Sequence, residues 1–142
     1  MTAAIYGVLA VLITALFLGC GKGPDPTANF CEAVVELKEI DRLSFDVSPS
    51  DDPAVRGALA QTAAQTARVA REAPIEIRGD AEVVAAFMSA LTHAFNDTEF
   101  SEPIERSAAI GAAQQQFEVQ LAESIENLSA FVARTCSPAP NE

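Results

Sequence analysis

The chain has 142 residues, with 20 Asp and Glu against nine Lys and Arg, giving a formal net charge of -11. An acidic surface of this kind repels phosphates, so nucleic acid is not an expected partner, and it repels anionic lipid headgroups as well. Three cysteines without a C-x-x-C pattern and a single histidine give little support to a zinc site or thiol redox chemistry.

The N-terminus is an apolar run over residues 3–19 that ends at Gly19-Cys20 and gives way to Gly21-Lys22-Gly23-Pro24-Asp25-Pro26. No Asp, Glu, Lys or Arg precedes Cys20, so all the formal charge belongs to the residues beyond it. The segment resembles the lipobox of bacterial lipoprotein precursors. Gly19 and Cys20 occupy its strongest positions, Phe17 stands where Leu is usual, and Leu18 where a small residue is usual. The resemblance implies cleavage before Cys20, acylation of that cysteine, and a mature protein held on the extracytoplasmic face of the cell membrane. An uncleaved signal anchor is the alternative, since about 17 apolar residues is the lower limit for a span. Ordinary secretion is a further alternative, and all three readings place the remaining chain outside the cytoplasm. The expected organisation is a signal peptide over residues 1–19 and a lipidated Cys20 with a flexible tether over 20–28. A helical domain then occupies 29–137, and a disordered tail 138–142.

Beyond the tether, alanine is abundant, glycine sparse, and period-two alternation is not sustained, which predicts helices and no strands. The first helix is expected from Thr27 or Asn29 as N-cap to about Leu43. Phe30, Val34, Leu37 and Asp41 form its stripe, with Cys31, Val35 and Lys38 beside it. Asp52 as N-cap and Pro53 at the first helical position open a second helix reaching about Glu72. Its stripe of Val55, Leu59, Thr62, Thr66, Val69 and Ala73 is small enough to admit a close neighbour. A third helix starts at Pro74 or at Asp80 and shows the bulkiest face, Val84, Phe87, Leu91 and Phe95. Pro103 opens a fourth helical region ending at Thr135. Gly111 and Gln114-Gln115-Gln116 interrupt its periodicity and predict a kink or a division.

Four helical regions with short connections predict an all-α fold, an antiparallel four-helix bundle. With Cys20 acylated, Cys31 and Cys136 remain as a pair in an oxidising compartment. An even helix count returns the end of the last helix to the start of the first, so a disulfide between them would clamp the bundle termini. Phe30-Cys31, Ala73-Pro74-Ile75-Glu76-Ile77 and Cys136 also resemble small uncharacterised secreted helical proteins and lipoproteins of actinobacteria. That resemblance implies a Cys-clamped helical bundle and carries over no functional residue.

No residue pattern announces catalysis. His93 reads as an ordinary helix histidine, and no serine sits in a G-x-S-x-G elbow. The acids Asp97, Glu99, Glu102 and Glu105 lack the spacing of a calcium loop. No cofactor is implied. The expected function is therefore a lipid-anchored, non-catalytic interaction module with a basic protein partner. The alternative is an envelope carrier or sensor of a small apolar ligand, bound between helices and lined by Phe87, Phe95, Phe117 and Phe131.

Overall fold

A computed structural model describes residues 26–44 and 51–136. These form four helices, α1 (Pro26–Ser44), α2 (Asp52–Glu72), α3 (Arg78–Asn96) and α4 (Pro103–Thr135), with no strand among the described residues. Cys31 is bonded to Cys136 with Cα atoms 5.3 Å apart. The fold is all-α, helix packed on helix, with a disulfide joining the start of α1 to the end of α4.

Side-chain pairs give the register between neighbours. Gln65 and Arg68 of α2 reach Ala33, Glu36 and Glu32 of α1. Arg56 meets Asn96, and Thr92 meets the Leu59 carbonyl. Asn127 of α4 meets Asp80, and Phe117 meets Phe87. Along α2/α3 and α3/α4, residue numbers rise on one helix as they fall on the other. The contact between α1 and α4 is the smallest of the four helix pairings.

The buried core is at the disulfide end. Phe30 and Ala33 are fully buried, and Val34, Val69, Ala70, Ala73, Ile77 and Ala81 complete the cluster. Four alanines in this set allow the backbones to approach closely, as the small stripe of α2 predicts. The bulky face expected of α3 is not the centre of the core. Val84, Phe87, Leu91 and Phe95 are half-buried, and Ala81 is the buried residue of that helix. Val35, expected beside the apolar stripe of the first helix, is exposed, and Ala33 faces α2 instead.

Several expected boundaries move for local reasons. Helix α1 begins at Pro26, inside the segment expected to be tether, because proline is tolerated in a first helical turn. Asp51, not Asp52, caps α2. Its carboxylate accepts from the Ala54 amide at 3.1 Å, which puts Pro53 one position later than expected. Helix α3 starts at Arg78, between the two expected starts. The buried Ile77 closes a turn onto the Pro74 carbonyl at 3.1 Å and accepts from the Ala81 amide at 3.1 Å. The Arg78 guanidinium then donates twice to the Ala73 carbonyl, satisfying a carbonyl at the end of α2.

Helix α4 is a single element of 33 residues, about 50 Å at 1.5 Å per residue, neither divided nor ended at Gly111. Space around Gly111 is open, so the glycine serves no close approach. Its helix-propensity cost of about 1 kcal/mol is outweighed by packing on both sides. Ala113 and Ser124 are buried, and Phe117 meets Phe87 edge-on with ring centroids 5.8 Å apart.

Candidate functional site

Two ends of the molecule differ in chemistry. At the disulfide end, Phe131 packs edge-on against Phe30 with centroids 5.8 Å apart, directly beside Cys31 and Cys136. Pro26, the first described helical residue, lies six positions after Cys20, so this is the end nearest that cysteine in the chain. Cys20 itself, the run over residues 3–19 and the tail over 138–142 lie outside the described residues. No helix among the described residues is long and apolar enough to cross a membrane.

The opposite end is held by a charged knot. Asp52, with its side chain 19% exposed, accepts from the Arg56 Nε at 2.7 Å and from Arg106 at 2.6 Å. Arg106 also donates to the Thr98 carbonyl at 3.0 Å and the Thr98 hydroxyl at 3.3 Å. Its guanidinium stands 4.5 Å from the Phe95 ring centroid and 5.7 Å from that of Phe100. Arg56 adds bonds to the Thr98 carbonyl at 2.7 Å and to Asn96 at 3.3 Å. One carboxylate thus fastens the start of α2 to the end of α3, the following turn and the start of α4. Each guanidinium nitrogen of Arg56 and Arg106 has a partner within the protein, as a structural tie requires.

The Arg56 hydrogen bond is the chief reason the Asp52 carboxyl titrates below its usual range. Partial burial works against it, and the hydrogen bond and charge of Arg106 reinforce it. Because the folded-state pKa is depressed, the stability Asp52 contributes is complete above the unfolded value of about 4. It is lost as pH falls through the lower folded value. Asp52→Asn should therefore destabilise the domain at pH 7, and the gap from the parent should close on acidification below about pH 4. Urea melts over a descending pH series measure this. A gap independent of pH would refute the assignment.

A second polar tie joins α1 to α2. The Gln65 amide, buried, donates to the Ala33 carbonyl at 3.0 Å and to Glu36 at 3.1 Å, while Arg68 pairs with Glu36 and reaches Glu32 at 3.8 Å. No described buried side-chain polar atom lacks a hydrogen-bond partner. Neither tie is apparent from sequence. The four-residue spacing of Asp52 and Arg56 is a usable signal, but nothing local points to Arg106 or Gln65.

The four phenylalanines expected to line a ligand site occupy three places. Phe87 and Phe117 meet each other, Phe131 meets Phe30, and Phe95 lies under Arg106. Of these, Phe87 lines a shallow groove of about 360 Å³ with Gln114, Glu118, Leu121, Ala122 and Ile125. A neighbouring apolar groove of about 320 Å³ runs between α1 and α4, past Val34, Leu37, Lys38, Leu128 and Val132. A more polar recess of about 540 Å³ lies at the α2–α3 turn, where Arg71 and Arg78 stand with Glu72 and Glu76. His93 is exposed near the end of α3. Among the described residues, no three His, Cys, Asp or Glu come together to hold a metal ion.

Comparison with known proteins adds no relative to this geometry. No protein-family model, no curated protein and no solved structure is significantly similar to the chain.

Proposed function

We propose that the protein is a lipid-anchored, extracytoplasmic interaction module, an antiparallel up-down bundle that presents an acidic helical surface to a basic protein partner. The observation that carries this reading is the Cys31–Cys136 bond. It closes the bundle at the end nearest Cys20, leaving a short connection between an acylated cysteine and a clamped domain. Multiple acyl chains on Cys20 would hold the protein durably, since each buried CH₂ adds about 0.8 kcal/mol. The net charge of -11 then keeps the domain off the anionic surface to which it is fixed and favours encounter with cationic proteins.

The chemistry of the described residues supports interaction over catalysis. The Asp52 carboxylate is held ionised by two arginines, the opposite of what a general acid needs. The carrier reading is weakened by the scattering of Phe87, Phe95, Phe117 and Phe131 over three separate contacts.

Replacing Cys20 with Ser tests the anchor. The expected result is loss of acylation and accumulation of uncleaved precursor, seen by intact-mass measurement of protein extracted from membranes. Native protein that is unacylated and retains the residues before Cys20 would overturn it. For the interaction itself, crosslinking in cells should trap a cationic protein. A retained small molecule in native mass spectrometry, with no protein trapped, would transfer the assignment to a carrier.

A further inference from the structure

The turn between α2 and α3 holds an apolar side chain outward from a fixed backbone. The buried Ile77 donates its amide to the Pro74 carbonyl, and the Arg78 guanidinium donates twice to the Ala73 carbonyl, at 2.9 and 3.1 Å. Between these two ties Ile75 is 74% exposed. A single exposed isoleucine is ordinary, so its setting must carry the argument. The recess of about 540 Å³ beside it is lined by Arg71, Glu72, Glu76 and Arg78, with Thr27 and Asn29 from the start of α1. Arg71 is exposed, and its guanidinium has no hydrogen bond or ion pair among the described residues. Arg78 commits Nε and one Nη to Ala73 and keeps its other Nη.

This is also the end at which the chain arrives from Cys20. Pro26, where α1 begins, lies six positions after that cysteine, a stretch that spans at most about 20 Å when fully extended. With Cys20 acylated in a bilayer, the turn is therefore kept close to the headgroups. The two ends of the bundle differ in charge. The near end sets Arg71, Arg78 and Arg134 against Glu72, Glu76, Asp80 and Glu82. The far end sets Arg56 and Arg106 against Asp51, Asp52, Asp97, Glu99, Glu102 and Glu105. Repulsion from an anionic surface thus acts chiefly on the far end and turns it outward. At the rim of the recess two guanidinium groups and two carboxylates balance. Arginine suits phosphate oxygens, and a carboxylate accepts from an ammonium. A purely anionic headgroup would meet both glutamates and the net charge of -11, whereas a headgroup carrying a phosphate and a primary ammonium satisfies both signs.

We infer that the α2–α3 turn is a membrane-contact tip. Ile75 enters the interfacial layer of the bilayer that holds Cys20, and the recess of Arg71, Glu72, Glu76 and Arg78 takes one zwitterionic aminophospholipid headgroup from it. The bundle then stands on its disulfide end, with the acidic far end presented outward. This rests on the lipid-anchored reading of the protein and adds to it a second, non-covalent contact with the same membrane.

The chain contains no Trp, so Ile75→Trp and Ile104→Trp each place a single fluorescent reporter at one end. Ile104, at the start of α4, is 80% exposed and serves as the far-end control. Both positions are exposed, so thermal melts of the variants should match the parent. The full-length protein extracted from membranes is reconstituted into vesicles of phosphatidylethanolamine and phosphatidylcholine with brominated acyl chains as quencher. Emission from the Ile75→Trp protein should shift to the blue and be quenched roughly threefold more than that from the Ile104→Trp protein. Adding Arg71→Gln and Glu76→Gln to Ile75→Trp should remove about half of the quenching, and so should vesicles of phosphatidylcholine alone, whose quaternary ammonium donates no hydrogen bond. Equal quenching at the two ends, in protein that is acylated by intact mass and floats with the vesicles, would overturn the inference and leave the anchor standing. Quenching that ignores both the substitutions and the lipid exchange would overturn it as well. Protein that carries no acyl chain and does not float would remove the anchored reading, and the inference with it.

Discussion

Breaking the disulfide should be among the most damaging single changes at the bundle's termini. Cys31 and Cys136 are separated by 105 residues in sequence, and closing a loop of this size restricts the unfolded chain by about 4–5 kcal/mol in the chain-entropy treatment. Cys31→Ser and Cys136→Ser should each lower the Tm by about 10–20 °C for a domain of this size. Both remove the same bond, so the double substitution should be no worse than either single one. Reductant should bring the parent to the same Tm while leaving the variants unchanged. The α1–α4 contact is the weakest pairing in the bundle, so little else holds α1 against α4 when the bond is lost. Scanning calorimetry with and without reductant decides the matter. A double variant much less stable than the singles would show that the serines disturb packing and that the lost crosslink is not the cause.

Much of this arrangement is written in local patterns. The end of α2 at Glu72 and the span of α4 to Thr135 match the points where apolar periodicity gives way to Ala73-Pro74 and to Cys136. The pairing of Cys31 with Cys136 agrees with the even helix count. Features that are silent in the sequence depend on contacts between distant residues. Asp52, the cap expected from sequence, is claimed by Arg106, 54 positions along the chain, and Asp51 accepts from the Ala54 amide instead. Helix α4 runs through Gly111 and the three glutamines because Ala113 and Phe117 are held against the bundle. Glutamine is ordinarily a surface residue, and Gln65 is buried because an α1 carbonyl lies opposite it. The sequence of α4 shows a stripe of Phe117, Leu121, Ile125, Leu128 and Val132, but Ile125 is 49% exposed while the other four are half-buried, a difference that depends on how the helix is seated against its neighbours.

Phe30→Ala should cost about 3–5 kcal/mol, the range for removing a fully buried aromatic ring. Phe30 is the largest side chain in the protein to be completely enclosed among the described residues. Its ring fills the space between Ala33, Val34, Val69, Ala73 and Ile77 and meets Phe131 edge-on. The alanines around it are too small to collapse into the cavity, and the adjacent Cys31–Cys136 bond holds α1 and α4 in place. The void would therefore persist, which puts the cost near the upper end. Phe30→Leu keeps most of the volume and should lose about 1.5 kcal/mol or less. Phe87→Ala provides the comparison. Its ring is half-buried and lines an open groove, so less apolar area returns to water, and the cost should be about 1–2 kcal/mol. Urea unfolding of the three variants with the disulfide intact orders them. If Phe87→Ala proved as costly as Phe30→Ala, the core would be centred on α3 and α4, as the bulky face of α3 suggests from sequence, and not on the small-residue junction beside the disulfide.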